Sequence, residues 1–122
     1  MDKSETDMNL GEKGEIAGAK FLKKNGHKII ETNFSCRHGE IDIIAKKNEI
    51  TCFVEVKTRS NENYGRPIDA ITPFKVKHMV RSAQYYIAKK SLEHQEVRLD
   101  IIEVIFHESK PMIRHTENAI VL

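Results

Sequence analysis

Apolar residues recur every three or four positions in two stretches of the chain, which is the spacing of helices with one buried face. The first stretch predicts a helix that begins after Asn9 as its N-cap and continues to Asn25, where Gly26 ends it. The second predicts a helix that begins after Thr72, with Pro73 at its first position. The apolar positions of this second helix are Val76, Met79, Val80, Ala83 and Ile87.

Runs of β-branched and apolar residues between and after these helices predict strands. A short strand at Ile29 and Ile30 is expected to end near Asn33. Further strands are predicted at residues 39–45, 50–58 and 97–106, and residues 112–113 are expected to pair back with the last of these. Turn-forming residues predict tight turns at residues 46–49 and 109–111 and a loop at residues 60–71.

The order of these elements predicts an α/β or α+β domain, because a helix, a run of strands, a second helix and a closing hairpin follow one another. Its central sheet is expected to be mixed and flanked by α-helices. Residues 1–8 are predicted to be a flexible polar tail and residues 9–122 a single domain, since no repeat, linker or low-complexity tract divides them.

Composition favours a soluble globular protein. The 122 residues are 39% hydrophobic and 31% charged, which is unlike a disordered chain. No stretch approaches the ~18–20 apolar residues that cross a membrane, and the polar, acidic N-terminus is unlike a secretory signal. The two cysteines, Cys36 and Cys52, form no metal-binding or disulfide pattern, so a cytoplasmic protein with reduced thiols is expected.

Charge is distributed unevenly, although the formal net charge is only +2. The first 15 residues hold five acids and two lysines, so the rest of the chain carries +5. Residues 70–92 contain five basic side chains and no acid. Such clusters attract polyanions, and we expect Lys75, Lys77 and Arg81 to contact nucleic acid, with a solvated helix face as the alternative.

Two carboxylates fall on strands of the predicted sheet. If residues 47–48 form a two-residue turn, paired residue numbers sum to 95, so that Asp42 faces Phe53. Any register with an odd sum keeps Asp42, Glu55 and Lys57 on one face. Like charges so close need a cation between them, and Mg²⁺ or Mn²⁺ prefers carboxylate oxygens. We therefore expect a metal site at Asp42 and Glu55, with Lys57 placed to hold a phosphate oxygen or a water.

Glu15 is a third candidate acid, at the top of an apolar stripe of the first helix. Its structural alternative is to complement the positive helix N-terminus. For the sheet residues the alternative is a cross-strand network of salt bridges, but Phe53 and its apolar neighbours predict burial, which makes unpaired charge costly. Arg59 continues the face of Glu55 and Lys57 and is expected to contact phosphate.

An Asp on one strand followed by Glu55-Val56-Lys57 on the next, here with Asp42, resembles the PD-(D/E)XK nuclease superfamily, which includes restriction endonucleases and archaeal Holliday-junction resolvases. The chain is more similar still to the bacterial YraN-like family. The similarity extends from about residue 11 to the C-terminus. The matching segments are residues 11–15, 39–45, 53–59 and 98–100, and the Gly65/Pro67 loop with Lys75 beyond it.

This resemblance implies a restriction-endonuclease-like fold and Mg²⁺- or Mn²⁺-dependent hydrolysis of DNA phosphodiesters, with branched or structured DNA as one substrate class. It implies that Asp42, Glu55, the Val56 carbonyl and Glu15 hold the metal. Lys57 would orient or deprotonate the attacking water or steady the transition state. Resolvase-like relatives act as dimers, which makes a homodimer an expectation to test.

Two other functions stay open at this point. One is a nucleic-acid-binding module of the same fold with little or no catalytic turnover. The other is a protein-interaction or scaffold domain whose acidic pair is structural.

Overall fold

The computed structural model describes residues 8–59, 67–108 and 110–122. The first helix, α1, is Leu10–Lys24, and the second, α2, is Pro73–Lys89. The strands are β1 (Lys28–Cys36), β2 (Gly39–Lys47), β3 (Ile50–Arg59), β4 (Val97–His107) and β5 (Lys110–Ile120), and a 3₁₀ turn spans Pro67–Ala70.

The five strands form one sheet in the order β1-β2-β3-β4-β5. β3 and β4 are parallel and the other neighbours are antiparallel, so the sheet is mixed. The parallel pair follows from the chain order, because parallel strands need a long crossover and α2 lies between β3 and β4. The predicted α+β class, with a central mixed sheet flanked by helices, is confirmed.

Each helix covers one face of the sheet with its own apolar core. α1 contributes Leu22 to a cluster with Cys52 and Val54 of β3. α2 contributes Met79 and Ala83 to a cluster that includes Phe53. Successive residues of β3 therefore point to different cores, and the strand is buried on both faces as expected. A charged side chain on this strand is consequently taken out of water.

Three local predictions need correction. β1 does not end near Asn33 but continues to Cys36, because the left-handed conformation of Asn33 (φ 53°) leaves Phe34 paired with Ile41. The predicted loop contains the 3₁₀ turn Pro67–Ala70, while residues 60–66, Gly65 among them, lie outside the described residues, as do residues 1–7 of the predicted tail. Lys110 and Pro111 belong to β5 and not to a turn; Ser109 lies outside the described residues.

The β2–β3 hairpin turns one residue later than expected. Asn48 and Glu49 both have positive φ (51° and 66°), as the central residues of a type I′ turn do. Lys47 therefore stays in the ladder and pairs with Ile50. The turn lies within the predicted residues 46–49, but its two central residues are shifted by one.

The shifted turn changes the register, so that paired residue numbers sum to 97 and not to 95. The expectation that Asp42 faces Phe53 is therefore wrong, because Phe53 pairs with Ile44. The sum is still odd. The prediction that Asp42 and Glu55 share a face therefore does not depend on the shift, and the observed register, continued one step beyond Ile43–Val54, sets the two residues opposite each other.

A close contact seats the start of α1 against β3. A Cβ atom at Gly14 would overlap Thr58 Oγ1 and lie 3.1 Å from Thr58 Cβ. At Gly11, which is exposed, the nearest atom would be Asn9 Oδ1 at 3.4 Å. The missing side chain of Gly14 thus allows the helix to approach the strand and fixes the position of Glu15, the next residue.

Gly14→Ala is expected to lower the free energy of unfolding by about 1–3 kcal/mol through overpacking, although alanine favours a helix by about 1 kcal/mol. Gly11→Ala, the matched control, is expected to leave stability unchanged or to raise it. Urea unfolding of both variants measures the difference. Equal stability of the two variants would contradict the close seating of α1 on β3.

Candidate active site

A cavity opens where β2 and β3 separate. Their ladder ends at the pair Ile43–Val54, after which β2 pairs only with β1 and β3 only with β4 within the described residues. The backbone N–H of Val56, just past that point, donates to Asp42 Oδ2 at 2.8 Å. A carboxylate thus takes the place of a backbone acceptor and keeps the two strands together at the fork.

The cavity has a volume of about 390 Å³ and is bordered by both helices. α1 contributes Glu15 and the preceding residues Leu10 and Gly11. The sheet contributes Asp42 and residues 55–58, and the chain entering α2 contributes residues 70–72 and Lys75. The predicted residues Asp42, Glu55, Val56, Lys57 and Glu15 therefore line one space, as the motif implied.

The three acids of this cavity, Glu15, Asp42 and Glu55, all hold their protons more tightly than free carboxyls. Burial is the main cause that raises the pKa of Glu55 to about 7; the charge of Asp42 adds to it and Lys75 opposes it. Burial also raises the pKa of Asp42, although the hydrogen bond from the Val56 N–H and the charge of Lys75 both act to lower it. Burial and then the charge of Asp42 raise the pKa of Glu15. The cluster therefore carries more negative charge than the protein compensates.

Lys75, which was predicted to contact nucleic acid, forms an ion pair with this cluster while its side chain stays 55% exposed. Its Nζ is 3.3 Å from Glu55 Oε1, and the Glu55 side chain is only 6% exposed. The charge of Glu55 is the main cause that raises the pKa of Lys75. The sequence offered no signal for this pairing, since Lys75 stands in a basic run twenty residues away from Glu55.

The donor atoms at the fork fit a hard divalent cation. Glu55 Oε2 is buried without a hydrogen-bond partner in the described part of the chain, which is costly for a carboxylate. Within the same ranges, no three His, Cys, Asp or Glu side chains form a ready-made metal cage. Mg²⁺ characteristically binds one or two carboxylates and completes its shell with water and phosphate. Asp42 and Glu55 match that requirement.

Lys57 is exposed at the rim of the same cavity. It shares the face of Glu55, two residues before it on β3. No other residue of the described ranges forms a hydrogen bond or ion pair with its ammonium group. Its charge is therefore available to a ligand in the cavity.

Comparison with known proteins places the chain in a family. The model of the uncharacterised protein family UPF0102 matches residues 14–104. The chain belongs to the UPF0102 family. It is 46% identical over 101 residues to a UPF0102 protein of Clostridium perfringens, covering 83% of each chain. It is 44% identical over 111 residues to a UPF0102 protein of Alkaliphilus metalliredigens, covering 91% of this chain and 96% of that one.

A solved structure, that of Pyrococcus furiosus SfsA in complex with Ca²⁺, superposes with a TM-score of 0.40 at 14% sequence identity. The match covers 85% of this chain, and the chain spans 60% of the length of that structure. In the described residues, no helix is both long and apolar enough to cross a membrane.

The other predicted nucleic-acid contacts of this family member lie outside the cavity. Arg59 Nη1 donates to Glu103 Oε2 at 2.5 Å, and Arg114 Nε donates to Glu103 Oε1 at 2.6 Å. Lys77 and Arg81 are exposed on α2. Sequence reasoning missed Glu103, which is fully buried. The available signal was an acid with two apolar residues on each side of it in β4.

A second buried acid, Asp100, belongs to the segment that matched the family at the sequence level. Arg98 Nε donates to Asp100 Oδ1 at 3.0 Å, and the backbone N–H of Asn118 donates to the same oxygen at 2.9 Å. His115 Nε2 lies 2.8 Å from Asp100 Oδ2. Burial alone would raise the pKa of Asp100, but these hydrogen bonds together lower it. Asp100 is therefore compensated and stabilises β5 against β4.

The raised pKa of Glu55 predicts a pH dependence of stability for the metal-free protein. The carboxyl ionises near 4.5 in the unfolded chain and near 7 in the folded protein, so the folded state binds more protons between these values. Stability is therefore lost as the pH rises through this window. Glu55→Gln has no proton to lose, and its stability relative to the wild type is expected to increase by on the order of 2–3 kcal/mol from about pH 4.5 to about pH 8.

Urea unfolding in the presence of a chelator across this pH range measures the difference. Glu93→Gln, at an exposed position, serves as control and should show no such trend. A wild-type minus Glu55→Gln difference that stays constant with pH would contradict the burial of an ionisable Glu55.

Proposed function

We propose that this protein is a Mg²⁺-dependent nuclease that hydrolyses phosphodiester bonds of DNA, including branched or structured DNA. The observation that carries the proposal is the under-compensated carboxylate cluster at the strand fork. Asp42 and Glu55 meet there beside Lys57, in the order of the nuclease motif, and one buried oxygen of Glu55 has no hydrogen-bond partner among the described residues. A cluster with a purely structural role would be expected to have its charges satisfied, as those of Asp100 are.

In this proposal Asp42 and Glu55 hold the cation, with the Val56 carbonyl and Glu15 as further donors from the same cavity. A cation held there would supply Lewis-acid stabilisation of the charge that develops on the phosphate, and a more acidic water. The Val56 N–H orients the Asp42 carboxylate through its 2.8 Å hydrogen bond. Lys57 directs its ammonium at the attacking water or at a phosphate oxygen.

Nucleic acid would approach from the side of α2. The first turn of this helix borders the cavity, and Lys77 and Arg81 lie four residues apart, on one exposed face. Arg59 is paired with Glu103 near the end of β3 and its side chain is only 16% exposed, so the phosphate contacts of this face are assigned to Lys77 and Arg81. A homodimer would supply the two copies of the site that a two-fold substrate such as a four-way junction requires.

Asp42→Ala, Glu55→Ala and Lys57→Ala are each expected to reduce DNA cleavage by about 100-fold or more, because each removes a charge at the reacting phosphate. The assay uses labelled linear, flapped and four-way DNA with Mg²⁺ or Mn²⁺. Glu93→Ala, an exposed acid away from the cavity, is the matched control and should cleave as the wild type does.

Cleavage that survives all three substitutions would come from a contaminant and would overturn the proposal. Binding of these DNAs without cleavage under either metal would instead support the nucleic-acid-binding module. In that case affinity would fall steeply with salt, and less steeply after neutralisation of Lys77 and Arg81. Absence of both binding and cleavage at low salt would favour the scaffold function.

A further inference from the structure

The ammonium group of Lys75 is paired with the carboxylate cluster at which a metal cation would also bind. Its Nζ lies 3.3 Å from Glu55 Oε1, and the negative charges of Asp42 and Glu40 also act on it. The Glu55 side chain cannot leave, because it is 6% exposed on a central strand. The Lys75 side chain is 55% exposed and can withdraw into solvent. The pair thus joins a fixed anion to a movable cation.

The backbone of Lys75 is anchored while its ammonium group is free to move. Its N–H donates to Thr72 Oγ1 at 3.1 Å, in the N-cap of α2. Pro73 at the start of the helix restricts the same turn further. The flexible side chain therefore pivots from a fixed point at the cavity mouth, within reach both of Glu55 and of a ligand that enters beside it.

We infer that Lys75 is a built-in competitor of the divalent cation, which holds Glu55 in the metal-free protein and must leave it when a metal binds. An ammonium group on Glu55 Oε1 and a divalent cation on Oε2 of the same carboxylate would lie close enough to repel each other strongly. The displaced ammonium then needs a new anion. A phosphate group of the nucleic acid at the cavity mouth would provide one.

This exchange couples the two ligands of the proposed nuclease, and the phosphate part of the inference rests on that proposed function. A bound phosphate favours the displaced position of Lys75, which makes Glu55 available to the metal. By linkage, a bound metal raises the affinity for the phosphate by the same factor. The metal site would consequently fill efficiently only when nucleic acid is present.

The test is a titration of the full chain with Mn²⁺ at about pH 8, without nucleic acid, by calorimetry and by electron paramagnetic resonance of free Mn²⁺. Lys75→Gln and Lys75→Met are expected to bind Mn²⁺ about fivefold more tightly or better than the wild type. Lys75→Arg keeps the charge and should bind weakly, as the wild type does. Lys77→Gln, on the same helix but without an ion pair to Glu55, should leave the affinity unchanged.

A second arm uses Ca²⁺ and a labelled four-way DNA junction, with DNA binding followed by anisotropy. In the wild type Ca²⁺ should strengthen DNA binding, and in Lys75→Gln this strengthening should shrink at least about threefold. Mn²⁺ affinity that is equal to or weaker than the wild type in both neutral variants would overturn the inference. Tighter Mn²⁺ binding in a protein that never cleaves DNA would leave the competitor role standing while the nuclease proposal fails.

Discussion

The hydrogen bond from the Val56 N–H to Asp42 Oδ2 is the contact on which the site depends. It stands where the β2–β3 ladder would otherwise continue beyond Ile43–Val54. The fork is stable because β2 still pairs with β1 and β3 with β4 beyond it. An opening inside a sheet normally leaves backbone groups unpaired, and here a carboxylate satisfies one of them. The same bond aims Asp42 into the space beside Glu55.

The buried acids of this protein differ in how far hydrogen bonds and neighbouring cations offset their negative charge. Asp100 receives hydrogen bonds from side chains and a backbone N–H, and Glu103 is held between Arg59 and Arg114. Burial alone would raise the pKa of both carboxyls, yet these partners lower it. Lys75 lies beside one oxygen of Glu55, the other oxygen has no donor among the described residues, and the neighbouring charge of Asp42 adds to the effect of burial. The pKa of Glu55 is raised because burial and the charge of Asp42 outweigh the effect of these few partners. A ligand that supplies positive charge would therefore stabilise Glu55, whereas Asp100 and Glu103, whose charges are already offset, would gain little from it.

The sequence predicted the architecture well because helix periodicity, caps and β-branched runs are local signals. Asn9 and Thr72 cap the two helices as expected, since each accepts a backbone N–H three residues ahead. The predicted hairpin turn was wrong by one position. Residue type alone does not show that the two left-handed residues are Asn48 and Glu49 and not residues 47 and 48. The alternation of side chains nevertheless kept Asp42 and Glu55 together, since it depends only on whether the register sum is odd.

Long-range pairing was beyond sequence reasoning. Lys75 was predicted to contact nucleic acid, and no local pattern indicated that the crossover through α2 would also bring its ammonium group to a carboxylate twenty residues earlier in the chain. Glu103 and Arg59 show the same limit, because their pairing requires β3 and β4 to be parallel neighbours. Such contacts follow from topology and not from local pattern.

The most direct measurement of the central claim, that the strand fork holds a divalent cation, is anomalous diffraction from crystals grown with Mn²⁺. The account predicts one strong peak within about 2.5 Å of carboxylate oxygens of both Asp42 and Glu55, with the ammonium group of Lys75 withdrawn. A cavity that stays empty at saturating Mn²⁺, or a peak that touches neither carboxylate, would contradict it.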